Sequence, residues 1–495
     1  LLQRLARRLL TNPQIAVLVT AIFLAAWTEH VLWFNYTRIP VLLAAGAFMA
    51  YAFDTKENSV RHTRAAVLFT LAYLLALCIF PTAAVLGLGL ALPAAIRVPT
   101  RSGLDFKNLA TSLVPFVLMS VLFFSATVLT RSEEEVGFHR LLNRVNDYKN
   151  NGQYYFNPVR DANTPASERT YAVKEAVRTG LLGDRLAVNE SFFARSGGPD
   201  WAEFLRVRLP KKLGELLGRL ALDYYLVLLF NVVLIVYCYR KLLSKTRRRL
   251  LVGTQGWIIG WLLLIGGLWK LPPRLAGPAM VVLTMVNLVF YLRHRRLGLP
   301  KVPGWAWGAL LILFAVHVYD TGGRTLTLSN KQAANEQFIA SMERRFHGQL
   351  LVAVGFEPHF SSLSPWQNYD FGQNKVLMLT GWQTMAPEFR EYLASITGQT
   401  NFGAAVEALM SRPKTIWIAP IGFEQRLNRL LGTVHNSHAT LLPFTPYVPG
   451  PTDDELNEYL VGVPAGRRQP LGPLPGTLLV SKTATVSDTL PPPAR

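Results

Sequence analysis

The chain has few charged residues, few cysteines and none of the common catalytic sequence motifs. Only 17% of its 495 residues are charged, whereas about 25% are charged in a typical soluble domain. Cys78 and Cys238 both lie inside apolar runs, so neither a disulfide nor a cysteine-based metal site is expected. The sequence contains no phosphate-binding loop, dinucleotide fingerprint, HExxH motif or GxSxG motif. These absences argue against a disulfide-bonded domain and against the common nucleotide-dependent and hydrolytic enzymes.

Acidic residues are also scarce, with 31 Asp and Glu residues against 51 Lys and Arg residues. A basic excess of this size can indicate nucleic-acid binding. Much of the excess, however, lies in short loops between apolar runs, where Lys and Arg mark the cytoplasmic side of a membrane protein. We therefore expect no nucleic-acid partner.

Long apolar runs occupy most of the first 320 residues. The clearest run, residues 222–239, reaches the ~18 apolar residues that can cross the hydrocarbon core as a helix. A basic cluster between Arg240 and Arg249 follows it, which predicts that this end stays in the cytoplasm. The other runs cover residues 14–33, 39–53, 65–80, 82–96, 108–130, 250–268, 276–292 and 304–319. Because every short basic loop falls on the same side, we predict about nine spans, although 39–53 and 82–96 are also short enough to be core helices.

The pattern as a whole predicts a polytopic α-helical membrane protein with a C-terminal extracytoplasmic α/β domain. We expect it in the inner membrane of a bacterium, with a cytoplasmic N-terminus and a periplasmic or extracellular C-terminal domain. The predicted parts are a membrane domain at 1–130, an extracytoplasmic loop with amphipathic helices at 131–221, a second membrane domain at 222–319, the α/β domain at 320–445 and a Pro/Gly-rich extension at 446–495.

Two features of the soluble segments carry the domain prediction. Short apolar runs at 349–354, 375–380 and 414–419 alternate with helical patterns, which predicts a small parallel sheet. The predicted helices of this domain cover residues 331–346, 387–397, 402–411 and 422–432. In the loop, leucines between Leu209 and Leu220 recur at helical spacing beside several basic residues. Such a helix either lies on the membrane surface or packs against the soluble domain.

The predicted spans carry no charged residue near their middles. Because intramembrane charge usually marks an ion-coupled transport path, a transporter is disfavoured. The polar residues inside the runs are Asn231, Gln255, Asn287 and His317. We expect them to form hydrogen bonds between helices rather than to bind a substrate.

Charged residues cluster instead where the runs reach the outer side. Glu29 and His30 end the first run, and Arg38, Arg131 and Arg324 lie beside later ones. A carboxylate at this boundary could act as a general base on an acceptor hydroxyl. The arginines could bind a lipid-linked phosphate through paired hydrogen bonds, or these charges could simply mark where water begins.

The soluble domain offers aromatic and amide side chains. Trp382 and Gln383 follow the predicted strand at 375–380, and Trp366 precedes it. These side chains could stack on and hydrogen-bond a sugar, or the tryptophans could pack inside the domain or rest on the membrane interface. His435 and His438 have no evident partner ligand, so no metal site is expected.

The spans, the loop with amphipathic helices, the acid at the outer end of the first span and the soluble C-terminal domain together resemble a GT-C type glycosyltransferase. The resemblance implies a polyprenyl-phosphate-linked sugar as donor and Glu29 as catalytic base. Arg38, Arg131 and Arg324 are then candidates for the donor phosphate, and His30, Trp366, Trp382 and Gln383 for the substrate. A divalent cation is the one cofactor considered.

Two other functions stay open at this point. The chain could be a non-catalytic envelope assembly or scaffold protein, whose outer domain binds a protein partner or a glycan. It could also be a transporter or flippase. In each case membrane lipid is a partner.

Overall fold

The structure is a computed structural model. It describes residues 37–54, 59–96, 107–148, 167–195, 201–293 except 243 and 270, 304–355, 375–437 except 413 and 421, 441 and 459–462. The predicted span at 14–33, with Glu29 and His30, lies outside these residues, as do Trp366, His438 and most of the C-terminal extension. The predicted functions of those residues stay predictions.

Most of the described chain is helical. Among the described residues, three helices are long and apolar enough to cross a membrane: α4 (Lys107–Thr130), α10 (Lys245–Leu268) and α11 (Pro273–Arg293). The pair of α8 (Trp201–Asp223) and α9 (Tyr225–Lys241) could form a fourth, bent span. The predicted spans at 39–53, 65–80 and 82–96 are shorter apolar helices, the one at 304–319 is the first part of the longer helix α12 (Gly304–Arg345), and the one at 14–33 lies outside the described residues. The helices of this part are α1 (Arg38–Asp54), α2 (Ser59–Ile79), α3 (Pro81–Ala91), α4 (Lys107–Thr130), α5 (Glu133–Asn146), α6 (Ser167–Thr179), α7 (Glu190–Arg195), α8 (Trp201–Asp223), α9 (Tyr225–Lys241), α10 (Lys245–Leu268), α11 (Pro273–Arg293) and α12 (Gly304–Arg345).

Helices α1, α2, α3 and α11 form the tightest part of the apolar bundle. Pro81 ends α2 and begins α3, because proline lacks the N–H that an interior helical position needs but suits a first turn. Gly87 of α3 lies directly against the backbone of Val41 in α1, where a Cβ atom would collide with the carbonyl group. This close approach places the small residues of both helices in one buried cluster.

Helix α4 lies at the edge of the bundle and exposes large apolar side chains. Leu118, Val121 and Leu122 are each more than half exposed, and Leu129 is 84% exposed. An apolar surface of this kind is unfavourable in water but normal against lipid. The helix therefore fits a place at the lipid boundary.

A chain of polar side chains connects three apolar helices. Gln255 of α10 donates to Asn287 of α11 at 2.7 Å, and Asn287 donates to Asn231 of α9 at 2.7 Å. Asn231 donates in turn to Thr284 at 2.9 Å. These three amides therefore bond between helices, as the sequence predicts, and His317 lies edge-on to the Tyr225 ring.

We expect Asn287→Leu to loosen this group of helices, because it removes the acceptor of the Gln255 amide and the donor to Asn231 Oδ1. Interhelical hydrogen bonds in membranes contribute about 0.6 kcal/mol each on average and at most about 1.7. A loss of about 1 to 3 kcal/mol in resistance to denaturing detergent should follow for the two bonds. Thr127→Val on the exposed face of α4 is the control, since its hydroxyl bonds only within its own helix. Equal stability of both variants would contradict the role of the network.

Helix α8 turns by 88° into α9 and packs across the end of the bundle. A Cβ atom at Gly266 would meet Leu216, and one at Gly267 would meet Leu209, so the α10 glycines make room for α8. Leu216 and Leu220 belong to the same buried cluster as the bundle helices. The leucine face predicted from the sequence therefore packs against the bundle rather than against the α/β domain.

Helix α12 is longer than the predicted span at 304–319. Its 42 residues continue to Arg345 without a break, which at 1.5 Å per residue is about 63 Å. The predicted helix at 331–346 is the last part of this same helix. Phe338 near its end packs on the sheet, so α12 connects the apolar part of the chain directly with the α/β domain.

The α/β domain is built on a small sheet that confirms the three predicted strands. Strands β1, β2 and β3 are parallel, β4 is antiparallel to β3, and the order is β2-β1-β3-β4. Helices α13 and α14 have the predicted bounds; Pro387 begins α13 and Gly398 ends it with φ +71°. The elements are β1 (Leu350–Ala353), β2 (Lys375–Met378), α13 (Pro387–Thr397), α14 (Phe402–Ser411), β3 (Thr415–Pro420), α15 (Phe423–His435) and β4 (Tyr459–Gly462).

Both faces of the sheet are covered, as a parallel sheet requires. One face, with Leu351 and Ile416, packs on Phe338 of α12. The other face, with Val352 and Trp417, shares a core with α14 and α15 but also with α5, α6 and the segment after α6. Residues from the predicted loop at 131–221 therefore contribute to the core of the α/β domain; the predicted domain bounds themselves stay predictions.

Candidate functional site

The carboxyl ends of β1, β2 and β3 meet at one edge of the sheet. The chain passes from β1 to β2 on one side and then to β3 on the other, so the strand order reverses between β1 and β3. Ligands of open α/β sheets bind at such a reversal, outside the carboxyl ends of the strands. Gly355 follows β1 here, Thr380 follows β2 and Gly422 follows β3.

The turn after β2 is held by its backbone. Gly381 has φ +99°, which favours glycine, and its N–H donates to the carbonyl of Gly180 at 2.9 Å. The Thr380 hydroxyl accepts from the N–H of Gly355 at 2.7 Å and so joins the ends of β1 and β2. The turn is therefore fixed to both the neighbouring strand and the segment that follows α6.

This turn presents Trp382 to solvent. The Trp382 residue is 62% exposed, so it does not pack inside the domain. Gln383 is oriented differently, because its amide nitrogen donates to the Thr380 carbonyl at 3.3 Å. Of the two predicted substrate residues, Trp382 offers an open ring face and Gln383 helps to hold the turn.

The structure brings one of the predicted phosphate-binding arginines together with an acid. Arg324 Nη2 of α12 lies 2.7 Å from Asp223 Oδ1 at the end of α8. Asp223 is the less exposed side chain of the pair, at 23% against 48% for Arg324. This charge-assisted bond holds α12 to the point where α8 bends into α9.

Arg38 and Arg131 lie at the beginnings of other helices. Arg38 is the first residue of α1. Arg131 is exposed and precedes α5, whose first turn is capped by Ser132 and Glu135 in a capping box. Partial burial and then the positive charge of Arg131 lower the pKa of His139, while the charge of Glu135 raises it. Arg131 therefore acts electrostatically on the first turns of α5.

A buried ionisable pair was not predicted from the sequence. Asp184 follows α6 and His435 ends α15; His435 Nε2 lies 2.7 Å from Asp184 Oδ2, and the side chains are only 7% and 1% exposed. Asp184 Oδ1 also accepts from the N–H groups of Leu186 and Ala187 at 3.0 and 3.3 Å. Because the pair is closed to solvent, its evident role is to join the segment after α6 to α15.

Within the described part of the chain, no three His, Cys, Asp or Glu residues are grouped closely enough to hold a metal ion. The roles of the arginines in phosphate binding and of the sheet edge in ligand binding stay predictions. Comparison with family models, with curated proteins and with solved structures found no match to this chain.

Proposed function

We propose that this chain is a membrane protein whose α/β domain binds a glycan at the carboxyl edge of its sheet. The exposure of Trp382 carries the proposal. A tryptophan in the turn after a strand could be buried in the domain, yet Trp382 is 62% exposed beside the edge where α/β domains bind ligands. An exposed indole provides a flat apolar face with an N–H donor, which suits the face of a sugar ring.

The fixed turn supports the same proposal. Thr380 and Gly381 hold the backbone just before Trp382 through bonds to two neighbouring segments. A binding group that is already ordered loses little conformational entropy when its ligand arrives. Helix α12 runs unbroken from the apolar part of the chain to the sheet, so the edge would be held at a defined distance from the membrane.

We expect Trp382→Ala to weaken glycan binding by the full chain in detergent. Its dissociation constant for chito-oligosaccharides or mannan-derived oligosaccharides should rise at least about tenfold, equivalent to about 1.4 kcal/mol. Trp382→Phe should retain most of the affinity because it keeps a flat ring. Isothermal titration calorimetry would measure the dissociation constants of the wild type, Trp382→Ala and Trp382→Phe.

The control for this experiment is Tyr392→Ala. Tyr392 is another exposed aromatic residue of the same domain, at 41%, but its hydroxyl donates to the carbonyl of Val376, near the amino end of β2 and away from the carboxyl edge. This variant should bind as the wild type does. Unchanged affinity in Trp382→Ala, or no affinity of the wild-type chain for either kind of oligosaccharide, would refute the proposal.

A second candidate function is glycosyl transfer from a polyprenyl-phosphate-linked sugar. The pair of Asp223 and Arg324 favours it, because a guanidinium already bound to a carboxylate can exchange that partner for a phosphate. The pair lies where α8 crosses the end of the bundle, which is where a lipid-linked donor would place its phosphate. The sequence adds the other groups of this hypothesis. Glu29 would be the catalytic base, and Arg38 and Arg131 would be further ligands of the phosphate.

We expect polyprenyl phosphate to raise the melting temperature of the detergent-purified chain if this second function is right, since ligands that bind only the native state stabilise it. Arg324→Gln should abolish the rise. Arg140→Gln is the control, because Arg140 is 60% exposed and forms only a surface pair with Glu190. A rise that persists in Arg324→Gln would remove Arg324 from the donor site, and full transfer activity in Glu29→Gln would remove Glu29 as base.

A further inference from the structure

Helix α8 combines three properties that the functions proposed above do not explain. Its leucine face is fixed to the bundle through Gly266 and Gly267 of α10. Its other sides expose apolar side chains, with Leu217 at 53% and Leu222 at 74%. The same exposed sides carry basic residues, which are considered next.

The exposed cations of α8 are Arg206, Lys211 and Arg219. Lys212 is placed differently, because its ammonium group donates to the Trp269 carbonyl at 2.6 Å and lies over the Phe204 ring. Lysine and arginine can lay their aliphatic stems along apolar surface while the charged ends reach outward. Interleaved exposed leucines and cations therefore suit a boundary between apolar and anionic material.

Acids on the same helix do not cancel these charges. Asp223 is already paired with Arg324 of α12. Glu203 and Glu215 are the remaining acids between Trp201 and Asp223. The stretch from Arg206 to Lys212 contains four basic residues and no acid, so that part of the helix presents positive charge.

The direction of α8 also fits such a boundary. The helix lies at 88° to α9, which is apolar apart from Asn231 until it ends in the basic residues Arg240 and Lys241. A helix perpendicular to a spanning helix lies in the plane of the membrane surface. Helix α8 is therefore directed along the headgroup layer rather than through the bilayer.

The usual topological reason for basic residues does not apply to α8. Positive charge beside a span marks the cytoplasmic end, and for α9 that end is the cluster between Arg240 and Arg249. Helix α8 precedes α9 and therefore lies at the opposite end of the bundle. The exposed cations Arg206, Lys211 and Arg219 therefore call for a different explanation, such as an anionic group bound at that end.

We propose that α8 lies in the headgroup layer at this end of the bundle and binds the phosphates of anionic phospholipids through Arg206, Lys211 and Arg219. Leu217 and Leu222 enter the adjoining acyl boundary. Binding to an anionic surface through such residues strengthens with the number of cations that lie near the surface.

Hydrogen–deuterium exchange of the full chain in lipid nanodiscs tests this proposal. One set of discs contains phosphatidylcholine alone, and the other contains about one third phosphatidylglycerol, which supplies the anionic headgroups. We expect the amides of α8 to exchange at least about tenfold more slowly in the anionic discs, while α14 in the α/β domain exchanges equally in both. About 1 M salt should remove the difference, because it shortens the screening length to about 3 Å.

Two matched variants locate the effect. Neutralising Arg206, Lys211 and Arg219 to Gln should abolish the slowing, with exchange in α11 unchanged as evidence that the bundle is folded. Neutralising Arg240, Lys241 and Arg249 to Gln removes the same charge from the opposite end and should leave the slowing in place. Equal exchange of α8 in both discs, or slowing that survives the first variant or high salt, would overturn the proposal.

Discussion

Asp184→Ala should strongly destabilise the α/β domain. The change removes the partner of His435 and two backbone acceptor contacts inside a site that is almost closed to water. A buried hydrogen-bonding group left without its partner typically costs about 1 to 3 kcal/mol, and here the His435 ring nitrogen and two backbone N–H groups lose theirs together. The loss should be visible as faster native-state hydrogen exchange in both α6 and α15, since the pair joins their ends.

The control for Asp184→Ala is an exposed pair in the same domain. Arg140 and Glu190 lie 3.3 Å apart with both side chains more than half exposed. Exposed pairs contribute at most about 1 kcal/mol, so Glu190→Ala should change exchange only slightly. If Asp184→Ala affected α15 but left α6 unchanged, the two segments would not share one folding unit and the described core would be wrong.

Gly87→Ala should have the largest effect in the apolar bundle. The added methyl group would collide with the Val41 carbonyl group, whose carbon and Cα lie 2.9 Å from the Cβ position. Backbone cannot move aside as a flexible side chain can, so α1 and α3 must separate. Overpacking a dense core costs about 1 to 3 kcal/mol, and we expect the upper end of that range or more. A lower melting temperature and a smaller monodisperse fraction in detergent should result.

Gly46→Ala is the matched control for Gly87→Ala. Gly46 lies on α1 as well, but a Cβ atom there would meet nothing within 4 Å. Alanine is also the better helix former by about 1 kcal/mol, so this variant should be neutral or slightly more stable. Equal behaviour of the two variants would contradict the close packing of α1 on α3.

The elements that could be predicted from the sequence are those with a local signal. Strands β1 and β3 are short, continuous apolar runs, and α13 begins at a proline and ends at a glycine. Helix α12 continues well beyond the predicted end of its span at residue 319. Asp320 and Arg324 suggest the end of a span, yet neither residue breaks a helix. Helix α6 begins at Ser167, inside a turn-rich stretch, so its first turn gave no helical signal.

The shared core and the buried pair could not be predicted, because they depend on contacts between distant residues. Asp184 lies in a short segment without a motif and meets His435 only when the chain returns 251 residues later. Trp382, in contrast, could be identified by its place directly after a strand. Arg324 and Asp223 could each be identified beside an apolar run, although only the structure pairs them.

Covalent mapping of the glycan site tests the central claim most directly. A diazirine-bearing chito-oligosaccharide would be irradiated with the full chain in detergent, and the labelled peptides identified by mass spectrometry. We expect label on the peptide that contains Trp382, and loss of that label when excess unlabelled oligosaccharide competes. Label confined to the helices α1–α4 and α8–α11, or label at Trp382 that does not respond to competition, would contradict a glycan site at the carboxyl edge of the sheet.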